Sequence, residues 1–264
     1  MEHCDDAAVA APLIALCCGF VVALITTPVG VSGAVLLLPV QLDVLKVPNP
    51  SITPTNLLYN VVAGPGALVR LRARLRGSLV GRLLAGTLPG VVLGACIRVW
   101  LVPDPRTFRL VAAAVLLGLG TWLVERTLRP VAGHGAAAPI RTPALVCLAF
   151  AVGTLGGIYG IGGGSILAPI LVGRGMAVAE VAPAALASTF VTSVAGVASF
   201  AVIAVGADGS VTPDWTLGLA AGLGGLVGGY WGARLAPRVP EVPLRLLLGG
   251  VCIALAAAYV IAAL

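Results

Sequence analysis

Apolar residues in this chain run in eight long blocks, 12–41, 51–69, 79–102, 107–127, 143–173, 178–205, 215–235 and 243–263, separated by short polar stretches. Blocks of about 20 apolar residues without strand-like alternation match the thickness of a bilayer's hydrocarbon core. The pattern predicts an all-α integral membrane protein. A Gly- and Pro-rich stretch, Arg129-Pro130-Val131-Ala132-Gly133-His134-Gly135, separates four blocks from four. We therefore expect an N-terminal repeat over 1–128, a linker over 129–142 and a C-terminal repeat over 143–264, within a single membrane domain. Blocks one and five are longer than one span needs, and a glycine motif interrupts each. Each is expected to form two half-helices rather than one continuous helix.

The two interruptions are copies of one another. Gly30-Val31-Ser32-Gly33-Ala34-Val35-Leu36-Leu37-Leu38-Pro39 aligns with Gly160-Ile161-Gly162-Gly163-Gly164-Ser165-Ile166-Leu167-Ala168-Pro169, an offset of 130. Val62-Ala63-Gly64 pairs with Val194-Ala195-Gly196, and Leu101-Val102-Pro103 with Leu235-Ala236-Pro237, at offsets of 132 and 134. In a polytopic membrane protein, glycine-broken hydrophobic segments at corresponding positions of two halves point to a transporter's binding site.

Composition agrees with membrane residence: 59% of residues are hydrophobic, 10% are charged and mean hydropathy is +1.08, against about 25% charged in a soluble domain. The net charge of +6 does not signal a nucleic acid, because the basic residues sit in short loops beside apolar blocks, as orientation determinants do. Met1-Glu2-His3-Cys4-Asp5-Asp6 is acidic where a secretory signal is basic, so the first block reads as a retained span. The six cysteines include no CxxC pair and read as small apolar residues rather than metal ligands. No cofactor or metal is expected.

Arginine placement favours one topology. With all eight blocks crossing, the sixteen Lys and Arg divide eight against eight. If blocks one and five enter and return on the same side, the division is twelve against four, as the positive-inside rule prefers. Each half then has one re-entrant segment and three crossings, so the halves are inverted with respect to each other. Both termini are expected outside, with loop 70–78 and the linker inside. Arg98, Arg106 and Arg109 are counted with an outer loop. The run Arg70, Arg72, Arg74, Arg76 and Arg82 either anchors the inner loop at lipid headgroups or gathers anions.

The candidate chemistry is neutral. Asp43, Glu125 and Glu180 lie near block ends, and both histidines are in polar stretches, which disfavours proton relays and cation sites built on buried carboxylates. Helix starts bind anions through free N–H groups and the helix dipole. Gly162, Gly163 and Gly164 would allow close backbone approach, with Ser165 either capping the second half-helix or donating to an oxyanion. In the first copy, Ser32, Gly33 and Ala34 would face them. Helix packing through small residues is the competing explanation for this run, and the leading one for Gly224, Gly228 and Gly232. Blocks two and six open with Thr53, Thr55, Asn56 and Asn60, and with Ser188, Thr189, Thr192 and Ser193. At an offset of 132, Asn56 meets Ser188 and Asn60 meets Thr192, each pair on one helical face. These residues either line a cavity or satisfy neighbouring backbone. The candidate substrate-binding set is Ser32, Gly33, Ala34, Asn56, Asn60, Gly162, Gly163, Gly164, Ser165, Ser188, Thr189 and Thr192.

The run Gly160 to Ser165 followed by Pro169, its copy around Gly30 and the Ala187-Ser188-Thr189 element resemble the sulfite exporter TauE/SafE family over nearly the whole chain. That resemblance implies a transporter of the bacterial inner membrane with a small sulfur oxyanion or organosulfonate as substrate. Ser32 and Ala34 stand where the second copy has glycine. An anion channel, or a non-transporting assembly protein, is the alternative. An enzyme is not expected, since no nucleophile-base pair, metal cluster or phosphate loop occurs in a plausible context. Oligomeric state stays open, a homo-oligomer included.

Overall fold

The computed structural model describes residues 2–29, 31–129, 141–174, 176, 178–206, 211–238 and 240–263. Gly30, nearly all of the linker and Asp208 lie outside them. Among the described residues the regular structure is helical throughout: α1 (Glu2–Thr26), α2 (Ala34–Pro39), α3 (Ile52–Leu71), α4 (Gly77–Trp100), α5 (Pro105–Leu128), α6 (Thr142–Tyr159), α7 (Gly164–Gly173), α8 (Val178–Ala204), α9 (Trp215–Leu235) and α10 (Glu241–Ala263). Block one is thus α1 and α2, the latter continuing as a wide turn over Val40–Val44, and block five is α6 and α7. Five helical stretches are long and apolar enough to cross a bilayer, in α4, α5, α6, α8 and α10. The molecule is a multi-pass membrane protein. α3 and α9 are not among the five, because α3 carries the Thr/Asn cluster and α9 is rich in glycine.

Helix ends follow local sequence. Asp104 accepts from the Thr107 N–H at 2.8 Å with Pro105 opening α5, and Asp214 accepts from the Leu217 N–H at 2.9 Å to start α9. The Thr107 N–H holds the exposed Asp104 carboxyl below its ordinary range. The breaks use glycine where other residues are strained. Gly160 (φ 82°) and Gly162 (φ 68°) both adopt left-handed conformations after α6.

The helices exchange partners between the halves. α4 packs against α6 and α8, α9 packs against α1 and α3, α3 packs against α8, and α5 packs against α10. This pattern is unchanged when the halves are swapped. Glycine makes the closest of these contacts. A Cβ on Gly90 or Gly94 of α4 would meet the Phe150 or Thr154 carbonyl of α6 at 2.4 or 2.3 Å. A shift of 134 residues carries both contacts to α9 and α1, where Gly224 and Gly228 lie against the carbonyls of Leu16 and Phe20, at 1.9 and 2.2 Å from an added Cβ. Gly224, Gly228 and Gly232 therefore do serve packing, as small-residue spacing predicts.

Two further contacts fix the ends of the array. Arg76, after α3, forms an ion pair of 2.8 Å with Glu180 at the start of α8. Near them Leu79, Leu83, Leu145, Leu167, Leu171 and Val181 form one buried cluster, joining the starts of α4, α6 and α8 with α7. Of the five cysteines whose side chains are described, Cys252 is buried, whereas Cys17 and Cys147 lie on the surface of the helix array, and all five are free thiols.

Candidate substrate-binding site

The polar face of α3 meets both breaks. Asn56 donates from Nδ2 to the Ala34 carbonyl at 2.9 Å, at the first residue of α2. Thr53 Oγ1 donates to the Ile158 carbonyl at 3.2 Å, and a Cβ on Gly160 would touch the Thr53 carbonyl and Asn56 Cβ. One helix thus ties together motifs 130 residues apart in the chain.

Beside the first break lies a pocket of ≈ 30 Å³, lined by Ser32, Gly33, Tyr59, Asn60, Thr189 and Phe190 among others, room for about two waters. It follows α3 from Tyr59 through Ala63 to Ala67, toward the basic loop at 70–76. Among the described residues, no charged one lines it. Ser32 Oγ accepts from the Ala34 N–H (3.2 Å) and donates to Asn60 Oδ1 (2.5 Å). This fixes the orientation of the Asn60 amide, because its oxygen is engaged. Its NH2 group remains buried and unpartnered. Two N–H donors on a pocket-lining residue are thus available to an acceptor, and a buried donor left without one carries its full desolvation penalty.

The second break is packed shut. A Cβ on Gly164 would meet the Ala185 carbonyl at 1.8 Å, on Gly163 the Thr87 methyl at 2.5 Å, and on Gly162 the Thr189 methyl at 2.9 Å. Ser165 neither caps α7 nor faces the pocket. Its hydroxyl donates back to the Ile161 carbonyl at 3.0 Å and lies 3.4 Å from Thr189 Oγ1. Thr192 donates to the Ser188 carbonyl (2.7 Å) and accepts from the Gly163 N–H (3.3 Å), while Ser188 pairs with Thr87 Oγ1 at 3.1 Å. Of the twelve candidate residues, Ser32, Gly33, Asn60 and Thr189 line the pocket, and Ala34 and Asn56 are joined to it by the Ala34 N–H on Ser32 and the Asn56 amide on the Ala34 carbonyl. Gly162, Gly163, Gly164, Ser165, Ser188 and Thr192 form the adjoining closely packed layer against α8, linked to the pocket through Thr189.

The doubled break, the multi-pass helix array and the neutral pocket agree with a comparison covering almost the whole chain: the model of the sulfite exporter TauE/SafE family matches residues 15–259. The chain belongs to the TauE/SafE family. No curated protein and no solved structure matches it.

As a TauE/SafE member, the chain holds one side chain whose burial the sequence pattern does not reveal. Arg98, counted with an outer loop, is fully buried in the last turns of α4. Its guanidinium donates to Thr53 Oγ1 (3.0 Å), the Val102 carbonyl and Asn49 Oδ1, and lies 4.2 Å over the Phe108 ring. The available signal was its position inside block 79–102 rather than beyond it. Gly225 and Gly229 also line the pocket, unannounced because they sit among the packing glycines of α9.

Proposed function

We propose that this TauE/SafE protein is a secondary transporter or exporter of a small sulfur oxyanion or organosulfonate in the inner membrane, loading its substrate in the pocket between Ser32, Asn60 and Thr189. The observation that carries the reading is the Asn60 NH2 group, oriented by Ser32 and unpartnered in a pocket that no charged residue lines among the described residues. Neutral donors in a low-dielectric site attract an oxyanion without holding it as firmly as a buried arginine would, which suits release. The incoming anion fills the pocket, and Ser32, Thr189 and the backbone at Gly33 complete its shell.

The reading includes an inverted repeat of residues 1–128 and 143–264 joined by the linker 129–142, with blocks one and five re-entrant. The Arg76–Glu180 ion pair supports it. Loops two-three and five-six share a side if blocks one and five return, and lie on opposite sides if every block crosses. The buried cluster of Leu79, Leu145, Leu171 and Val181 agrees, since it brings the end of α7 back beside the start of α6.

Alternating access needs halves that differ in state, and the sequence supplies a difference. Pocket residues Thr189 and Gly225 correspond to Leu57 and Val91, both fully buried. Leu57 also packs with Ala95 and Phe200 in a core cluster. The apolar plug closes the position equivalent to the pocket, so access is one-sided in this conformation. Rocking of one half on the other would move the opening. Full-length protein in liposomes should show saturable sulfite or sulfonate flux that accelerates in counterflow. Non-saturating flux without counterflow would mark a channel instead, and cation uptake independent of anions would overturn the reading.

A further inference from the structure

Arg98 is a buried cation with no acidic partner: no carboxylate lies within 4 Å of it among the described residues, and all its hydrogen-bond acceptors are neutral. A charge placed this way is costly in a membrane protein and is kept where it meets an ion or a pathway. Its surroundings mark one end of such a pathway. Thr53, which accepts from Arg98 Nε, opens a polar stripe on α3 that continues through Asn56 to Asn60, positions related by three and seven residues and hence on one face. The stripe covers roughly 10 Å at a helical rise of about 1.5 Å per residue. Two of its side chains carry buried, unpartnered atoms, Asn56 Oδ1 and Asn60 Nδ2. One end is the pocket at Asn60, and the other is the guanidinium.

The far end is closed by a small latch. Asn49 accepts from Arg98 and donates to the Pro103 carbonyl at 2.6 Å, while Val102 supplies a second acceptor, so the loops after α2 and after α4 are drawn together over the guanidinium. The feature is one-sided: the shift of 134 residues that superposes the glycine contacts carries Arg98 onto Gly232. We propose that Arg98 is a second anion station, at the end of the pathway opposite the basic loop, where the oxyanion takes the place of Asn49 and Val102 on the guanidinium fork as it enters or leaves. Planar, bidentate recognition of an oxyanion is the task for which a guanidinium differs most from an ammonium. The proposal rests on the anion-transport reading above.

The test is sulfite flux by the full-length protein in liposomes, with sulfite presented in turn to the face of residues 45–51 and to the face of residues 70–76. Arg98→Lys should raise the half-saturating concentration about tenfold on the first face, as the loss of one charge-assisted bond predicts, and leave the second face unchanged. Arg98→Gln should lose flux from the first face at any concentration tested. Asn49→Ala removes the competing latch and keeps the charge, so its half-saturating concentration on the first face should fall below that of wild type. If Asn49→Ala reproduces the defect of Arg98→Lys, Arg98 is only a structural lock and the proposal fails. It also fails if both Arg98 variants bind sulfite as wild type does from both faces. A wild-type protein that moves another inorganic anion but no sulfur oxyanion overturns the substrate reading alone, and the same three variants then decide the role of Arg98 with that anion.

Discussion

At the scale of single residues, the decisive group is the Asn60 amide. Ser32 fixes its orientation by donating to Oδ1 at 2.5 Å, so the two positions make separable predictions. Ser32→Ala removes one hydrogen bond and frees the amide to turn. The loss is about 1 kcal/mol, up to roughly 3 with a charged ligand, so sulfite affinity should fall by about 5- to 150-fold in a binding titration. Asn60→Asp keeps the shape and replaces a donor by a carboxylate. Repulsion of about 4 kcal/mol at 4 Å, for an effective dielectric of about 20, should abolish binding at neutral pH. The new carboxyl regains a donor when protonated, so flux through Asn60→Asp should recover as pH falls and vanish again as it rises. A variant that is equally active at all pH values would remove Asn60 from the site.

At the scale of elements, adjacent glycines of α9 have opposite tasks. A Cβ on Gly228 would sit 2.2 Å from the Phe20 carbonyl, whereas one on Gly229 finds nothing closer than Thr27 Oγ1 at 3.6 Å. Gly228→Ala should therefore force α1 from α9 and lower stability by about 1–3 kcal/mol, read as a fall in Tm in detergent. Gly229→Ala should leave Tm unchanged. Gly229→Leu should obstruct the pocket and cut flux in protein that still purifies as wild type does. The helical segments, their breaks and the polar faces of α3 and α8 were legible in the sequence because hydropathy, glycine and hydroxyl spacing are local signals. Which glycines line the pocket was not, since that depends on what stands opposite. The contiguous run at 162–164 is covered by Thr189, Thr87 and Ala185, while the pocket opens at the copy with fewer glycines. The burial of Arg98 was missed for a related reason: an arginine near a block's end reads as interfacial until the loops that fold over it are known.

At the scale of the whole molecule, the Arg76–Glu180 contact allows the topology to be tested directly. In a background without the native cysteines, Arg76→Cys and Glu180→Cys should react with a membrane-impermeant thiol reagent from the same face, and the double variant should cross-link. Labelling from opposite faces would exclude re-entry of block five. The exchange of partners between halves has another consequence, set by time rather than geometry. The chain emerges from the ribosome in order, and Leu16 of α1 must wait roughly 210 residues for Gly224 of α9, on the order of 10–40 s at about 5–20 residues per second. Gly90 of α4 waits only roughly 60 residues for Phe150 of α6, on the order of 3–12 s. The earliest of the described helices is therefore among the last to be seated, and until then its packing face meets lipid or the insertion machinery. Nascent chains stalled before α9 should show the α4–α6 contact by cysteine cross-linking while α1 remains open to labelling along Leu16 and Phe20.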